Sequence, residues 1–275
     1  MTPKTIVITG ASDGIGAAAA RQLTRGGAKV VVVGRSQRKT TAVAEELGAD
    51  YYVADFADLS QVRALADKIR SEYPRIDVLA NNAGGMCREP EMTADGLEKT
   101  YQVNYLAPFL LTTELLDTLV DSRATVVNTT SSSQRLLPKV TITDFEHTAR
   151  RRPGIAYALT KLAIVLFTKE LHRRYREISA ATFHPGYVNS NFGEASGSRL
   201  LHFMKNYVPV TARFTATADE GAEQLVWLAS ATPGVDWQPG EYYSRHKVSK
   251  ANRAAYDPVL AGELWDRTVA ALART

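Results

Sequence analysis

The amino-acid sequence predicts a doubly wound α/β fold, in which helices cover both faces of a mostly seven-stranded parallel sheet. Short β-branched apolar runs alternate along the chain with longer segments whose apolar residues recur at helical spacing. This alternation is typical of βαβ units with right-handed crossovers. No repeat, low-complexity stretch or linker divides the 275 residues, a length that one hydrophobic core can serve. We therefore predict one domain over residues 1–275.

The predicted strands and helices follow each other in a regular order. The strands are predicted at 5–9, 29–33, 51–53, 76–80, 125–129 and 180–183, with a short seventh at 242–243. The helices are predicted at 15–26, 37–47, 60–72, 95–119, 155–176, 217–230 and 258–273. The long irregular stretch at about 186–215 follows the sixth strand, and ligands bind beyond the carboxyl ends of such strands. We predict that it forms a substrate-binding loop or lid.

The composition argues against several classes of protein. The single cysteine, Cys87, cannot form an internal disulfide, and the five histidines show no metal-ligand spacing, so no metal site is expected. The formal net charge is +4, but basic residues are scattered among acidic ones, so a nucleic-acid partner is not expected. Neither a membrane span nor a signal-peptide pattern is found, so we expect a cytoplasmic protein without a membrane partner. The sequence leaves a homo-oligomer open.

A glycine-rich turn follows the first predicted strand. Its three glycines have the spacing GxxxGxG and lead directly into good helix formers. Glycines let the backbone turn tightly beside a pyrophosphate, whose charge is stabilised by the free N–H groups at the start of a helix. We interpret this strand–turn–helix as the dinucleotide-binding site of a Rossmann fold. The residues expected to contact the dinucleotide here are Gly10, Ser12, Asp13, Gly14, Ile15 and Gly16.

The residues after the second strand bear on the choice between NADP and NAD. An NAD site usually has an acidic residue here to accept the ribose hydroxyls, whereas a guanidinium suits the 2′-phosphate of NADP. Arg35, with Ser36 and Arg38, therefore favours NADP(H). Asp13 points the other way, because its carboxylate lies near the same phosphate. NAD stays as the alternative cofactor.

Tyr157 and Lys161 lie four residues apart in the predicted helix 155–176, so they share one face. An ammonium group beside a phenol favours the phenolate. We therefore expect Lys161 to lower the pKa of Tyr157 toward the working pH, as acid/base chemistry on an alkoxide requires. The YxxxK spacing is also common by chance, and its other interpretation is a surface pair on a helix.

Together with further motifs, these residues make the chain resemble the short-chain dehydrogenase/reductase family along its whole length. The segments 103–112 and 240–243, with Leu264 and Trp265, look most like its retinol-dehydrogenase-like branch and related bacterial ketoreductases. The matching residues, in family order, are Gly10, Gly14, Gly16, Asp55, Asn81, Asn82, Ala83, Gly84, Asn104, Ser131, Tyr157, Lys161, Pro185 and Gly186. The resemblance implies an NADP(H)-dependent oxidoreductase that moves a hydride between a nicotinamide and a carbonyl or alcohol carbon.

The resemblance also implies roles for single residues. Tyr157 would exchange a proton with the substrate oxygen, while Lys161 would tune it and bind the nicotinamide ribose. Ser131 would hydrogen-bond the substrate oxygen, and Asn104 would hold a water that links Lys161 to solvent. Asp55 would meet the adenine. The other cofactor contacts that the resemblance implies are Phe56, Asn81, Ala83, Gly84, Pro185, Gly186, Val188 and Ser190.

Two positions depart from the family pattern. After the fifth strand, Thr130 stands where the first serine of Asn-x-Ser-Ser is expected. Counting from Asn128 selects Ser131 as the active-site serine and leaves Ser132 as the alternative. Ser190 replaces a more usual threonine but keeps a hydroxyl.

The residues between Ser131 and Tyr157, and those of the predicted lid, are rich in apolar side chains. They predict a sizeable apolar pocket for a bulky hydrophobic ketone, aldehyde or alcohol, and ordinary packing of a loop is the other interpretation. An NAD-dependent alcohol dehydrogenase and a non-catalytic dinucleotide sensor or scaffold are the competing functions. The residues proposed to wall the pocket are Leu136, Leu137, Pro138, Val140, Phe145, Tyr187, Phe192, Leu200, Leu201, Phe203, Met204, Tyr207 and Phe214.

Overall fold

A computed structural model describes residues 3–87, 89–186 and 217–275. Its sheet has the strand order β3-β2-β1-β4-β5-β6-β7-β8. The strands are β1 (Thr5–Thr9), β2 (Lys29–Gly34), β3 (Asp50–Val53), β4 (Val78–Asn81), β5 (Thr125–Thr129), β6 (Ser179–Phe183), β7 (Tyr242–Ser244) and β8 (Lys247–Val248). The doubly wound fold and its seven parallel strands are confirmed. The eighth strand pairs antiparallel with β7, and its two residues are too few to give a sequence pattern.

The longer helices lie close to their predicted positions, except in the region 95–119. There the first helical residue is Lys99, because the Glu98 carboxylate caps the helix by accepting from the N–H groups of Thr100 and Tyr101. The helices are α1 (Gly14–Arg25), α2 (Gln37–Leu47), α3 (Leu59–Glu72), α4 (Lys99–Tyr101), α5 (Ala107–Glu114), α6 (Leu116–Asp121), α7 (Ile142–Glu146), α8 (Pro153–Arg174), α9 (Ala218–Ser230) and α10 (Pro258–Leu272). A π-helical turn over Gln102–Leu106 joins α4 to α5. The predicted helix is therefore confirmed in type, but it begins four residues later than predicted, and the π-helical turn and a break at Leu115 divide it into shorter segments.

Alternate strand residues feed two hydrophobic cores. In β1, Val7 packs on one face of the sheet with α3, α5, α8 and α10. Ile6 and Ile8 pack on the other face with α1, α2 and α9. Because helices cover both faces of the sheet, the side chains on both faces of the strand are buried. The strand is therefore an unbroken apolar run in the sequence. No helix in the described ranges is long and apolar enough to cross a membrane.

The strand order reverses between β1 and β4. The connections from β1 run outward through β2 and β3, whereas those from β4 run the opposite way through β5 and β6. Ligands bind in the crevice beyond the carboxyl ends of the strands at such a switch point. The turns after β1 and β4 meet there, and both carry residues that the sequence analysis placed in the site.

Candidate active site

The turn after β1 packs tightly against the turn after β4. Gly10 and Gly14 have φ angles of +66° and +52°, in the left-handed region that glycine adopts without strain. A Cβ on Gly10 would lie 2.8 Å from the Cα of Ala83, and a Cβ on Gly16 would clash with the Gly10 carbonyl. These glycines therefore let the two backbone turns pack closely together at the start of α1. A glycine turn at a helix start also lets a pyrophosphate approach the backbone N–H groups.

Asn82 and Thr9 hold these two turns together, and the sequence analysis gave neither a role. The Thr9 hydroxyl accepts from the backbone N–H groups of Asn82 and Ala83 at 3.0 and 3.1 Å. The Asn82 side chain donates to the Thr9 carbonyl at 3.1 Å and accepts from the Thr129 hydroxyl at 3.2 Å. Asn82 therefore joins the ends of β1, β4 and β5, and its place in the family motif was the signal available in the sequence.

The Asn81 side chain lies in the core rather than in the cofactor cleft. It is only 3% exposed and donates to Thr112 and to Asn128, at 3.0 and 2.9 Å. The predicted ribose contact can therefore involve only the backbone of Asn81. The Phe56 side chain is likewise buried in the core. A contact between Phe56 and the cofactor can therefore also involve only its backbone. Its neighbour Asp55 accepts from the N–H of Ala57 at 3.0 Å and stays half-exposed.

The residues around the end of β2 form a positively charged surface. Gly34 leaves room for Ser12, because a Cβ there would lie 2.7 Å from the Ser12 Cβ. Arg35 is exposed and has no hydrogen-bond or ion-pair partner within the described ranges. The Lys39 ammonium lies 2.6 Å from the Asp13 carboxylate. This ion pair, which the sequence did not reveal, offsets the negative charge that argued against NADP.

Ser36 and Asp13 also have structural roles as helix caps. The Ser36 hydroxyl accepts from the N–H of Lys39 at 3.4 Å at the start of α2. The Asp13 carboxylate accepts from the N–H of Gly14 at 2.8 Å at the start of α1. Ile15, in the first turn of α1, packs against the core on that face of the sheet. The two caps fix both helix starts beside the same cleft.

Asn104 lies in the π-helical turn, whose wider backbone turns often mark functional positions. Its amide nitrogen donates to the carbonyls of Gly85 and Thr100 at 2.6 and 2.7 Å. Its oxygen accepts from the N–H of Gly85 at 3.1 Å. A Cβ on Gly84 would lie 2.5 Å from this oxygen and 3.2 Å from the Lys161 ammonium. The glycine therefore lets both side chains approach the same point.

Lys161 is a buried cation on α8. Its side chain donates to the Thr129 carbonyl at 3.2 Å, and the residue is only 4% exposed. Burial disfavours the charged form and lowers the pKa of Lys161 to about 8. The ammonium lies 5.5 Å from the centre of the Tyr157 ring. The sequence therefore predicted the shared helix face correctly.

The side chain of Ser131 interacts with the Tyr157 phenol and favours its ionised form. Burial raises the pKa of Tyr157 well above its usual value, and the interaction with Ser131 offsets only part of that increase. The predicted lowering of this pKa is therefore not found in the protein without cofactor, because desolvation of the phenol outweighs the other effects. At neutral pH the phenol keeps its proton.

The structure distinguishes between the serines after β5. Ser131, and not Ser132, contacts Tyr157. The Thr130 hydroxyl donates to the Lys161 carbonyl at 2.6 Å and is buried. Thr130 thus anchors α8 to the end of β5 through its hydroxyl, a group that the usual serine at this position shares.

Several predicted site residues lie at or beyond the end of the described segment. Pro185 and Gly186 lie two and three residues after the end of β6, and Gly186 has a φ of +84°. Val188, Ser190 and the predicted lid after residue 186 lie outside the described residues, as do its wall residues from Tyr187 to Phe214. No group of three or more metal-ligating side chains occurs within 3–87, 89–186 and 217–275.

The apolar residues from the end of β5 to the first turn of α8 divide into two groups. Leu137, Val140 and Phe145 are buried in the core that contains α8, so the prediction that they wall a pocket is wrong and packing is their role. Leu136 is 85% exposed and Ile155 is also exposed. These two lie five residues after Ser131 and two residues before Tyr157, respectively.

Comparisons with known proteins agree with this geometry. The family model described as short chain dehydrogenase matches residues 4–200. The Streptomyces sp. (strain C5) protein named "Putative daunorubicin C-13 ketoreductase DnrU" is 37% identical over 99% of this chain and 93% of its own length. Retinol dehydrogenase 12 of Homo sapiens is 35% identical, over 96% of this chain and 84% of its own length.

A solved structure gives the same result for the fold. The gluconate 5-dehydrogenase from Burkholderia cenocepacia J2315, crystallised with NADP and tartrate, has a TM-score of 0.68 at 25% identity and covers 88% of this chain and 93% of that one. The family match, the sequence relatives and the geometry all confirm the resemblance seen in the sequence. The chain belongs to the short-chain dehydrogenase/reductase family of oxidoreductases, which bind a nicotinamide dinucleotide and act on small carbonyl or alcohol substrates.

Proposed function

We propose that this protein is an NADP(H)-dependent reductase of bulky hydrophobic ketones or aldehydes, which also catalyses the reverse oxidation. The observation that carries the proposal is the placement of the Tyr157 phenol beside Ser131 and beside the buried Lys161 ammonium, which lies 5.5 Å from the centre of the phenol ring. A proton donor, a second hydrogen-bond donor and a cation thus converge on one point. A non-catalytic sensor has no need for this arrangement.

The chain's own residues supply the acid chemistry. A bound nicotinamide supplies the hydride. The Tyr157 hydroxyl gives its proton to the substrate oxygen as negative charge develops there, and the Ser131 hydroxyl donates a hydrogen bond to the same oxygen. The raised pKa of Tyr157 keeps the phenol protonated at neutral pH, which is the form that reduction requires. Oxidation needs the phenolate, so its rate rises toward alkaline pH.

Lys161 and Asn104 support the proton donor. The Lys161 ammonium stabilises the negatively charged phenolate of Tyr157 that remains after proton transfer. We propose that it also binds the nicotinamide ribose. Asn104 fixes the Gly84–Gly85 backbone beside this ammonium, and we propose that it holds the water through which the proton returns.

The serine assignment leads to a first prediction. Ser131→Ala removes the hydroxyl that contacts Tyr157, so we expect kcat to fall by roughly a hundredfold, as when one donor to a developing oxyanion is lost. Ser132→Ala is the matched control, and its kcat should stay close to that of the wild type. Steady-state kinetics of carbonyl reduction measure both, with melting temperatures to check the fold. A larger loss in Ser132→Ala would move the active-site serine by one residue.

The cofactor proposal rests on the charge around the end of β2. Arg35 is exposed and has no ion-pair or hydrogen-bond partner among the described residues, so its guanidinium is available to a 2′-phosphate, which it can bind bidentately. Lys39 neutralises Asp13, which removes the negative charge nearest that phosphate. The basic Arg38, on the first turn of α2, is exposed as well. This concentration of positive charge supports NADP(H) over NAD.

A second prediction tests that choice. A charge-assisted contact contributes about 1.5 to 3 kcal/mol, so the wild type should bind NADPH roughly tenfold to a hundredfold or more tightly than NADH. Arg35→Asp should erase or invert the preference, because a carboxylate repels the phosphate and accepts the ribose hydroxyls of NADH. Arg38→Asp makes the same charge change nearby and should have a smaller effect. The preference is measured as the ratio of the dissociation constants for NADPH and NADH in each protein. Equal wild-type affinities, or an unchanged ratio in Arg35→Asp, would favour the NAD-dependent alternative.

The substrate class rests on two exposed apolar residues and on the names of the relatives. The side chains of Leu136 and Ile155 are exposed, and both residues lie between Ser131 and Tyr157 in the sequence. The two relatives described above are named for a daunorubicin C-13 ketone and for retinol, which supports a bulky substrate. A panel that pairs polycyclic aromatic ketones and polyene aldehydes with small polar ketones tests the proposal. Higher kcat/KM for the small polar ketones would contradict it.

A further inference from the structure

His184, the residue that follows β6, bonds to the backbone turn after it. The N–H of Gly186 donates to Nδ1 of His184 at 3.0 Å, and Nε2 of the same ring lies 3.1 Å from the Ser244 hydroxyl on β7. Because Nδ1 accepts a hydrogen bond, it carries no proton, so the neutral ring has its proton on Nε2 and donates it to Ser244. The N–H of Gly186 therefore selects this tautomer, and the Ser244 hydroxyl accommodates it because it can accept from Nε2.

The surroundings of His184 favour this neutral form. Its ring stacks against Tyr242, with centroids 6.1 Å apart and planes at 27°. The charged groups that face it are the guanidiniums of Arg135, in the turn after β5, and of Arg245, after β7. Burial, followed by these two cations, holds the pKa of His184 below its usual value. Near neutral pH the ring is therefore an acceptor toward Gly186.

The Gly186 backbone needs such a contact. Its φ of +84° lies in the left-handed region, and glycine populates both signs of φ about equally. Steric preference therefore does not choose the direction of this turn. A Cβ at this position would meet no atom of the described residues within 4 Å. Within the described part of the chain, the hydrogen bond to His184 is therefore the contact that orients the peptide between Pro185 and Gly186.

We propose that His184 is a positioning residue for the nicotinamide end of the cofactor, acting through the N–H of Gly186. The inference rests on the proposed function and on the dinucleotide contact that the family resemblance implies for the Pro185–Gly186 turn. Protonation turns Nδ1 from an acceptor into a donor and so breaks the bond to Gly186. Cofactor affinity then falls as the pH drops through the pKa of His184. Neither ring nitrogen touches substrate or cofactor in this account.

Two isosteric variants separate the roles of the two ring nitrogens. Asparagine places its oxygen near the position of Nδ1, whereas glutamine reaches the position of Nε2. At about pH 8, we expect H184N to bind NADPH as the wild type does and H184Q to bind it roughly threefold to tenfold more weakly, as the loss of one hydrogen bond predicts. Fluorescence titration of NADPH measures the dissociation constants, and melting curves verify that both variants fold.

The pH dependence supplies a readout that a merely structural role would not change. The 2′-phosphate of NADPH itself titrates near about pH 6, so the informative quantity is the ratio of the wild-type dissociation constant to that of H184N at each pH. We expect this ratio to be close to one at about pH 8 and to rise roughly threefold to tenfold at about pH 5. The exposed His147 provides the matched control, since H147N should give a ratio of one throughout.

The outcomes distinguish this inference from the proposed function. A rising wild-type to H184N ratio, with weak binding by H184Q, supports the positioning role. A ratio that does not change with pH, or H184Q that binds as tightly as the wild type at about pH 8, overturns it while leaving the proposed function intact. If the wild type shows no saturable NADPH binding at any pH, the proposed function itself fails and the inference fails with it.

Discussion

Tyr157→Phe is expected to lower the turnover of carbonyl reduction by roughly a hundredfold or more while NADPH binding is retained. The substitution keeps the aromatic ring and removes only the hydroxyl that contacts Ser131. Without it, the developing alkoxide has no proton donor. Single-turnover measurements of NADPH oxidation separate the chemical step from cofactor binding.

Tyr175→Phe is the control for this variant. Tyr175 caps the far end of α8, the helix that carries Tyr157, and we expect its variant to keep wild-type turnover. If Tyr157→Phe also kept nearly wild-type turnover, another group would have to donate the proton and the assignment of the acid would be wrong. An equal loss in both variants would instead point to damage to α8.

Lys161→Met is expected to abolish most activity and to stabilise the protein without cofactor. The Lys161 pKa falls from 10.5 to about 8 on burial, which corresponds to a cost of roughly 3 kcal/mol for keeping the ammonium charged. Methionine removes that cost but leaves the Thr129 carbonyl without its donor, a loss of about 1 kcal/mol. The free energy of unfolding should therefore rise by roughly 2 kcal/mol, and the melting temperature by several degrees.

The size of the stabilisation expected from Lys161→Met depends on pH. Lys161 has a lowered pKa in the folded state, so the unfolded chain binds more protons between about pH 8 and 10.5. The stabilisation by Lys161→Met is present in full below about pH 8 and disappears as the pH rises toward 10.5. Lys169→Met, which changes a more exposed lysine on the same helix, should give neither effect. A Lys161→Met protein that is active, or less stable than the wild type at neutral pH, contradicts the account.

The expected loss of activity and the expected gain of stability in Lys161→Met have a common cause. A buried, incompletely paired cation lowers stability, because the protein interior solvates charge less well than water does. The same cation stabilises the phenolate after proton transfer. Strain or instability that persists at a functional site is a recognised sign that the site is kept for its chemistry. Lys161 fits that description.

Much of the site was predictable because its residues follow strands of a parallel sheet. The GxxxGxG turn, Ser131 and the pair Tyr157 and Lys161 each appear as a short local pattern, and the fold brings the carboxyl ends of the strands together. The spacing of four residues fixed the shared face of Tyr157 and Lys161. Counting from Asn128 also selected the serine that lies against Tyr157.

Other features depend on contacts between distant residues, which no local pattern reveals. The sequence did not show that the Asn81 side chain points into the core while Asn82 braces the cleft, because adjacent strand-end residues face opposite sides. Nor did it show that Lys39 pairs with Asp13, 26 residues away. The direction of the Tyr157 pKa shift was predicted wrongly because the sequence shows the nearby cation but not the burial that outweighs it.

The measurement that tests the central claim most directly is isotope transfer from the cofactor. NADPH deuterated at both C4 positions is incubated with the enzyme and a bulky aromatic ketone, and the product alcohol is analysed by mass spectrometry and NMR. The account predicts one deuterium on the carbinol carbon in the wild-type product, formed with the NADPH consumed in equal amount, and at least roughly a hundredfold less product with Tyr157→Phe. Consumption of NADPH without deuterium at that carbon, or equal product from the two proteins, would contradict it.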